Sequence, residues 1–257
     1  MKALILAAGY GVRLAAVAKD TPKPLLTVAG KALIDHVVER LRTAEGLSEI
    51  VVVTNHKFYG HFTRWAKTPP APPMAGPAAG RAHAGVPIRV VNDGTDTPEE
   101  RLGSVGDIHF VWSRERVHDD WLIVGGDNLF DQEMTPFLSF ARAKAPAISV
   151  GLYDIGDIRA ASKFGVCSLD AQGRVTLFQE KPEKPLSTLI ATCVYYFPRP
   201  TLTLIEEYRV QSNALDAAGS YIQWLAEKKN VYGFQFSGKW YDIGSVESLN
   251  DAQQHFK

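Results

Sequence analysis

The chain of 257 residues carries 28 basic and 28 acidic side chains, and 46% of its residues are hydrophobic. This balance gives no support for a nucleic-acid-binding or membrane-surface protein, in which a basic excess is expected. No apolar stretch approaches the roughly 20 residues needed to cross a bilayer, and the N-terminus lacks the features of a signal peptide. Cys167 and Cys193 lie in apolar runs and are expected to be small buried side chains in a reducing compartment. We therefore expect a cytoplasmic protein with no nucleic-acid or membrane partner.

Hydrophobic periodicity predicts that strands and helices alternate along the first 153 residues. The fully apolar run Ile50–Val53 is typical of a strand that is covered on both faces of a parallel sheet. Strands are predicted at 3–8, 49–54, 87–92, 121–124 and 147–153, and helices at 31–42, 58–67, 102–116 and 134–144. The second half predicts antiparallel strands at 165–170, 173–179 and 189–197, helices at 200–209 and 216–228, a last strand at 231–236 and a closing helix from Val246.

This order of elements predicts a single three-layer, Rossmann-like α/β domain over residues 1–257, with a mainly parallel mixed sheet and an antiparallel extension. The C-terminus has no hexapeptide repeat, so no C-terminal β-helix is expected. The segment 68–87 contains six prolines, which predict an irregular surface loop. That loop is either an insertion without function or a lid or partner contact.

The first strand runs into the turn Gly9–Gly11, whose backbone N–H groups can surround an anion. Arg13 adds positive charge, and so does Lys23, whose backbone is stiffened by a proline on each side. The dinucleotide-binding fingerprint requires a third glycine where this chain has Leu14, and no Lys-Ser/Thr pair completes a Walker motif. The turn therefore predicts an anion-binding loop that belongs to neither of these classes.

Four other motifs come later in the chain. Gly125-Gly126-Asp127-Asn128 follows a buried strand, and its aspartate is either a metal ligand or a helix N-cap. Glu180-Lys181-Pro182 alone indicates only a charged turn. Trp240-Tyr241-Asp242-Ile243-Gly244 follows the last strand. Leu102-Gly103-Ser104-Val105-Gly106 contains two glycines that would let the backbone approach a ligand.

Taken in their order along the chain, the five motifs resemble the signature of the sugar-1-phosphate nucleotidylyltransferases. The glucose-1-phosphate thymidylyl- and uridylyltransferases are the most similar group. The resemblance covers nearly the whole chain. It implies an enzyme with a nucleotide-binding half at 1–150 and a sugar-binding half at 151–257, so that the antiparallel extension is the sugar side. It also implies Mg²⁺ as cofactor, a nucleoside triphosphate and a sugar 1-phosphate as partners, and homo-oligomer formation as an option.

The same resemblance assigns roles to single residues. The expected catalytic residues are Arg13, Lys23 and Asp127, and the expected Mg²⁺ ligands are Asp127 and Asp242. Two carboxylates make the hard-oxygen site that magnesium prefers. The expected nucleotide contacts are Leu6, Ala8, Gly9, Gly11, Gly103 and Gly106, together with Asn92, which ends its strand and is the candidate for reading the base edge. The expected sugar-phosphate contacts are Gly165, Glu180 and Lys181.

Two departures from the family pattern stand out. Relatives usually have Pro and Thr where this chain has Ala16 and Ala18, so the loop is expected to be looser while its charges are kept. Relatives often have Thr-Gly where this chain has Thr192-Cys193, and a side chain there would narrow the sugar pocket. The second departure leaves the identity of the sugar open.

In the implied reaction an oxygen of the sugar 1-phosphate attacks the α-phosphorus of the triphosphate in line, and pyrophosphate leaves. The attacking oxygen is already ionised at neutral pH, so positioning and positive charge are the whole catalytic task and no general base is needed. A cytidylyl- or guanylyltransferase acting on another phosphate ester is an alternative. A non-catalytic nucleotide-sugar-binding regulator is another, although such proteins usually lose one of the four charged residues kept here.

Overall fold

The computed structural model describes residues 1–14, 20–68, 85–115, 119–212 and 215–256, without the side chain of Arg13. Ala16, Ala18 and most of the proline-rich segment 68–87 lie outside the described residues. Among the described residues, no helix combines the length and the apolar character needed to cross a membrane.

The described residues form thirteen strands and eight α-helices. The strands are β1 Lys2–Leu6, β2 Thr27–Val28, β3 Lys31–Ala32, β4 Glu49–Thr54, β5 Ile88–Asn92, β6 Trp121–Gly125, β7 Asn128–Phe130, β8 Ile148–Asp154, β9 Gly165–Leu169, β10 Val175–Glu180, β11 Leu189–Phe197, β12 Val231–Gln235 and β13 Trp240–Asp242. The α-helices are α1 Leu33–Leu41, α2 His56–Lys67, α3 Gly103–Arg114, α4 Met134–Lys144, α5 Ile158–Ala161, α6 Leu204–Gln211, α7 Ala218–Lys228 and α8 Val246–His255.

Nine strands form one mixed sheet in the order β10-β9-β11-β6-β1-β4-β5, and β8 pairs with both β11 and β12 beside this row. Only β10 and β11 run against the other seven strands, so the sheet is mainly parallel. In the register of β1, Leu6 lies opposite both Val53 of β4 and Gly125 of β6. Because these parallel strands end at the same level, the loops that follow β1 and β6 meet at one edge.

Helices cover both faces of the sheet. On one face α3, α6 and α7 pack against inward side chains such as Leu4 and Val51. On the other face α1, α2 and α4 pack against their neighbours in sequence, such as Ile5 and Val52. The alternation along β1 and β4 therefore buries each strand on both faces, which confirms the predicted three-layer architecture.

Most of the predicted helices and strands are present. Some begin or end at other residues, one helix is divided in two, and several short elements were not predicted. The helix predicted at 31–42 begins at Leu33, because Lys31–Ala32 instead pairs with Thr27–Val28 in a short hairpin. The helix predicted at 200–209 is divided into a 3₁₀ turn at Arg199–Thr201 and α6. The sequence analysis missed β2, β3, β7, β13 and α5, each of two to four residues, since such short pieces have no periodicity. The last described element is α8, and no β-helix occurs in the described part of the chain.

Candidate active site

The turn after β1 opens onto a cavity of about 240 Å³. Gly9, Gly11, Lys23 and Asp127 are among the residues that line this cavity. Gly11 has a φ of +63°, a left-handed conformation that favours glycine, and its carbonyl accepts a hydrogen bond from the Leu14 N–H at 2.9 Å. This hydrogen bond closes the turn, and the Val12–Leu14 3₁₀ turn places Val12 and Leu14 in the wall of the cavity.

Lys23 lies in a one-turn 3₁₀ helix, Lys23–Leu25, that begins after Pro22. The turn is closed by two backbone hydrogen bonds, from the Leu25 N–H to the Pro22 carbonyl at 2.8 Å and from the Leu26 N–H to the Lys23 carbonyl at 3.0 Å. The Lys23 side chain is 14% exposed, and its Nζ lies 2.6 Å from Oδ2 of Asp127. The local helix therefore aims the ammonium across the cavity at the carboxylate that follows β6.

Asp127 is placed by the two glycines before it. The Gly126 N–H donates to the Leu6 carbonyl at 2.9 Å, which ties the loop after β6 to the end of β1. A Cβ at Gly126 would lie 2.8 Å from that carbonyl oxygen, and one at Gly125 would lie 2.7 Å from Nδ2 of Asn128. Neither position has room for a side chain, so the glycine pair is what lets Asp127 reach the cavity.

Asp242 reaches Asp127 through a small antiparallel ribbon. In this ribbon β13 pairs with β7, with Asp242 opposite Asn128, and the Ile243 N–H donates to the Asp127 carbonyl at 3.2 Å. The side chain of Asn128 fixes the ribbon, since it donates to the Thr192 carbonyl at 2.7 Å and accepts from Trp240 Nε1 at 2.9 Å. Asp242 therefore lies opposite the residue that follows Asp127, although the two aspartates are more than 100 residues apart in sequence.

This pair of carboxylates fits a magnesium ion. Mg²⁺ is usually bound by one or two protein carboxylates, with waters and substrate phosphates completing its coordination. No group of three or more His, Cys, Asp or Glu side chains suited to a metal occurs among the described residues. The ammonium of Lys23 at Oδ2 of Asp127 also marks this carboxylate as a place that accepts a cation.

Asn92, the predicted base-reading residue, ends β5 with both polar atoms of its amide already in contact with neighbours. Its Oδ1 accepts from the Gly94 N–H at 2.9 Å, and its Nδ2 lies 2.8 Å from Nδ1 of His56.

The glycines of the 102–106 motif are explained by close packing, without any ligand. Gly103 has a φ of +76°, and a Cβ there would lie 2.4 Å from Cα of Asp216.

At the predicted sugar-phosphate contacts, β9 and β10 place Gly165 directly opposite Glu180. The carboxylate of Glu180 lies against two glycines, because a Cβ would be 3.1 Å from Oε2 at Gly165 and 1.7 Å from it at Gly219. Burial raises the pKa of Glu180, and the Lys181 ammonium at 3.7 Å from Oε1 opposes this rise. Lys181 itself is 60% exposed and has a φ of +46°.

Cys193 joins the two sides of the site. Its φ is +56°, and its Cβ would lie 3.4 Å from a Cβ at Gly125. Burial raises the pKa of its thiol, and negative charge from Asp127, Asp242 and Glu180 raises that pKa further. The two carboxylates predicted to bind Mg²⁺ and the glutamate predicted to bind the sugar therefore all act on Cys193, the residue predicted to narrow the sugar pocket.

A family model described as nucleotidyl transferase matches residues 2–257. The chain belongs to the nucleotidyl transferase family. Among curated relatives, the bifunctional protein GlmU of Methanocaldococcus jannaschii is 25% identical over 256 residues, which make up 99% of this chain and 54% of that protein. The chain thus spans about half the length of the curated relatives it matches. Membership places it in a family of enzymes, as the five motifs predicted.

Two solved structures of similar architecture cover 99% of this chain. One is a Bacillus anthracis protein assigned as a glucose-1-phosphate thymidylyltransferase, in complex with a sucrose, with a TM-score of 0.81 and 22% identity over 94% of its length. The other is a UDP-glucose pyrophosphorylase complexed with UDP-glucose, with a TM-score of 0.80 and 21% identity over 97% of its length. At these identities the likeness shows the fold, and it confirms the predicted Rossmann-like α/β class.

For this nucleotidyl transferase family member, sequence reasoning missed the residues that hold the site together. Asn128 was quoted only as part of a motif, although its amide links β7, β13 and the segment before Cys193. Gly219, which makes room for Glu180, carries no local motif. Asn128 could have been found from its place directly after Asp127, whereas Gly219 could not.

Proposed function

We propose that the protein is a sugar-1-phosphate nucleotidylyltransferase that transfers the nucleotidyl group of dTTP or UTP to a hexose 1-phosphate, with glucose 1-phosphate as the first candidate. The observation that carries the proposal is the contact of 2.6 Å between Lys23 and Asp127 over the cavity of the glycine turn. It combines a cradle for phosphates, an aimed cation and a carboxylate next to Asp242. The UDP-glucose bound to the pyrophosphorylase of similar fold supports the choice of ligand class.

In this proposal the glycine turn and Arg13 hold the departing pyrophosphate. The backbone N–H groups of Gly9 and Gly11 and the guanidinium of Arg13 supply donors and charge where negative charge develops. The ammonium of Lys23 leaves Asp127 and binds both the α-phosphate and the incoming sugar phosphate. It thereby brings the two anions together. Asp127 and Asp242 would hold Mg²⁺, which would supply positive charge against the negative charge of the α-phosphate.

The remaining residues bind and orient the two substrates. Glu180 and the Gly165 backbone receive the sugar hydroxyls, and Lys181 attracts the sugar phosphate. The proposed nucleotide contacts are Leu6, Ala8, Asn92, Gly103 and Gly106. Residues 1–150 then form the nucleotide half and 151–257 the sugar half of one domain. The attacking phosphate oxygen is already ionised, so no side chain has to remove a proton.

We propose a cytoplasmic location, since nucleoside triphosphates are the substrates, and two unpaired cysteines are compatible with a reducing compartment. Homo-oligomer formation stays a prediction. In this proposal every residue assigned to the reaction belongs to one chain.

A panel of ATP, CTP, GTP, UTP and dTTP, each with glucose 1-phosphate and Mg²⁺, tests the proposal by pyrophosphate release. We expect turnover with dTTP or UTP that requires the sugar phosphate. Turnover with CTP or GTP alone would instead support the cytidylyl or guanylyl alternative. Release from no triphosphate would contradict the proposal and favour the binding regulator.

A further inference from the structure

A chain of side-chain hydrogen bonds connects the glycine turn to the loop after β5. The hydroxyl of Tyr10 donates to Oγ1 of Thr95 at 3.0 Å. Thr95 in turn donates to Oδ1 of Asp93, from its hydroxyl at 2.8 Å and from its backbone N–H at 2.7 Å. Asp93 therefore organises the loop next to Asn92 and, through Thr95, contacts the turn proposed to bind the triphosphate.

Asp93 extends this series of side-chain contacts to helix α3. Its carboxyl group interacts with that of Asp107, and only 7% of Asp93 and 6% of Asp107 is exposed. Asp107 Oδ1 is buried and meets no N–H or O–H donor among the described residues. A hydrogen bond between two carboxyl groups requires a proton on one of them, and two buried carboxylates without that proton would repel each other.

The surroundings favour that shared proton near neutral pH. Burial raises the pKa of Asp107 to about 8, and the negative charge of Asp93 adds to this rise. Burial also raises the pKa of Asp93, and Asp96 of the same loop adds to that. The elements packed against α3 include β1, α6 and α7, and none of their described charged groups is among the causes that shift either pKa. On the other side of the loop, Tyr10 reaches it through Thr95, and His56 of α2 reaches it through the Asn92 amide and the Thr95 carbonyl.

We propose that Asp107 is a positioning residue of the nucleotide site, which shares a proton with Asp93 and thereby holds the 92–95 loop against α3. When the proton is lost, two buried carboxylates face each other, and repulsion moves the loop and Tyr10 away from their binding positions. Nucleotide binding therefore weakens as the pH rises. This inference rests on the proposed function only for the identity of the bound ligand.

Steady-state kinetics with dTTP and with UTP test the inference on three variants from about pH 7 to about pH 9. One pH unit above a pKa of about 8, about one tenth of the molecules keep the proton, so the KM for triphosphate should rise about tenfold at unchanged kcat. Asp107→Asn keeps a donor that cannot ionise, and its KM should not change with pH. Asp107→Ala loses the bond, and its KM should be about tenfold higher throughout.

The controls separate positioning from simple stability. Glu99→Gln removes an exposed charge from the same loop and should follow the wild-type profile. The KM for glucose 1-phosphate should stay constant in all variants. A wild-type KM that does not change with pH, or an Asp107→Asn variant with the wild-type profile, would overturn the inference. So would an Asp107→Ala variant that alters only thermal stability.

Two measurements without turnover keep the inference testable if the proposed function fails. The infrared C=O band of a protonated carboxyl should be present at neutral pH, decline around pH 8 and be absent in Asp107→Asn. Because the pKa is raised in the folded state, the stabilisation by the protonated pair is complete below about pH 4 and is lost as the pH rises to about 8. Thermal stability of wild type should therefore fall over this range more than that of Asp107→Asn. Absence of the band would contradict the shared proton whatever the enzyme's substrate is.

Discussion

Each half of the site contains one lysine–carboxylate pair, and the two pairs are built differently. On the triphosphate side, the ends of Lys23 and Asp127 are in direct contact at 2.6 Å, with the lysine 14% exposed. On the sugar side, Lys181 is 60% exposed and its Nζ is 3.7 Å from Glu180, whose side chain is 16% exposed. In the proposed mechanism the Lys23–Asp127 pair must separate before Lys23 can bind phosphate and Asp127 can bind metal. In the second pair the carboxylate is buried and the lysine is open to solvent.

The difference indicates separate tasks for the two lysines. Lys23 is aimed by its own short helix, so the loss of its charge should affect the reaction itself. Lys181 lies in solvent, where screening weakens its charge, so its loss should affect sugar-phosphate binding. The following predictions test this contrast.

The largest effect is expected for Lys23→Ala. Removal of one preorganised charge from a transition state typically costs about 3–4 kcal/mol, or roughly 10²–10³ in rate, so pyrophosphate release should fall by that factor. Lys229→Ala, which removes an exposed lysine at the end of α7, is the control and should keep normal turnover. Near-normal turnover of Lys23→Ala would remove Lys23 from the mechanism.

Gly219→Ala tests the rigid part of the sugar side. A Cβ there would lie 1.7 Å from Oε2 of Glu180, so the carboxylate must move or α7 must shift. Such overpacking typically costs about 1–3 kcal/mol, and we expect a KM for glucose 1-phosphate raised at least about tenfold.

Gly60→Ala in α2 is the matched control for that substitution. The nearest atom to a Cβ at Gly60 is Nη1 of Arg64 at 3.7 Å, and alanine there should stabilise the helix by about 0.5–1 kcal/mol. Thermal unfolding and the two KM values measure both variants. An unchanged KM for the sugar phosphate in Gly219→Ala would show that the position of Glu180 is not needed for binding.

Lys181→Ala should raise the KM for glucose 1-phosphate by about tenfold, with little change in the KM for triphosphate. The loss is smaller than for Lys23 because the ammonium of Lys181 is solvent-exposed. Its effect should also weaken at high salt. A fall in kcat as large as that of Lys23→Ala would erase the contrast between the two pairs.

The smallest effect concerns the metal. In the absence of nucleotide, Lys23→Ala should bind Mn²⁺ about threefold to tenfold more tightly than wild type, because no ammonium competes for Oδ2 of Asp127. Electron paramagnetic resonance of free Mn²⁺ measures this without turnover, and Asp242→Asn should weaken the binding. Equal affinity in wild type and Lys23→Ala would mean that Asp127 does not bind the ion before the nucleotide.

More of the proposed triphosphate side than of the proposed sugar side could be predicted from the sequence. Gly9, Gly11 and Asp127 lie in short motifs that follow β1 and β6, and the level ends of these parallel strands bring the motifs together. Lys23 lies further along the chain, in a motif marked by a proline on each side. The adjacency of Asp242 to this group depends on β7 and β13, two strands of three residues that no periodicity reveals.

Most of the features that could not be predicted from the sequence depend on contacts between distant segments of the chain. Glu180 meets Gly219 across 39 positions because α7 packs on β10, and Asp93 meets Asp107 because the β5 loop folds onto α3. Such contacts depend on side-chain packing in three dimensions rather than on local propensity. Asn92 was chosen for its position at the end of a strand, whereas its amide is held by His56 and Gly94.

Transfer of isotopic label tests the central claim, attack of the sugar phosphate on the α-phosphorus, most directly. Glucose 1-phosphate labelled with ¹⁸O in its non-bridging oxygens is turned over with the preferred triphosphate, and the products are separated for mass spectrometry. The proposed reaction predicts a nucleotide sugar that keeps all of the label and pyrophosphate that contains none. Label in pyrophosphate or orthophosphate, or no nucleotide sugar at all, would contradict it.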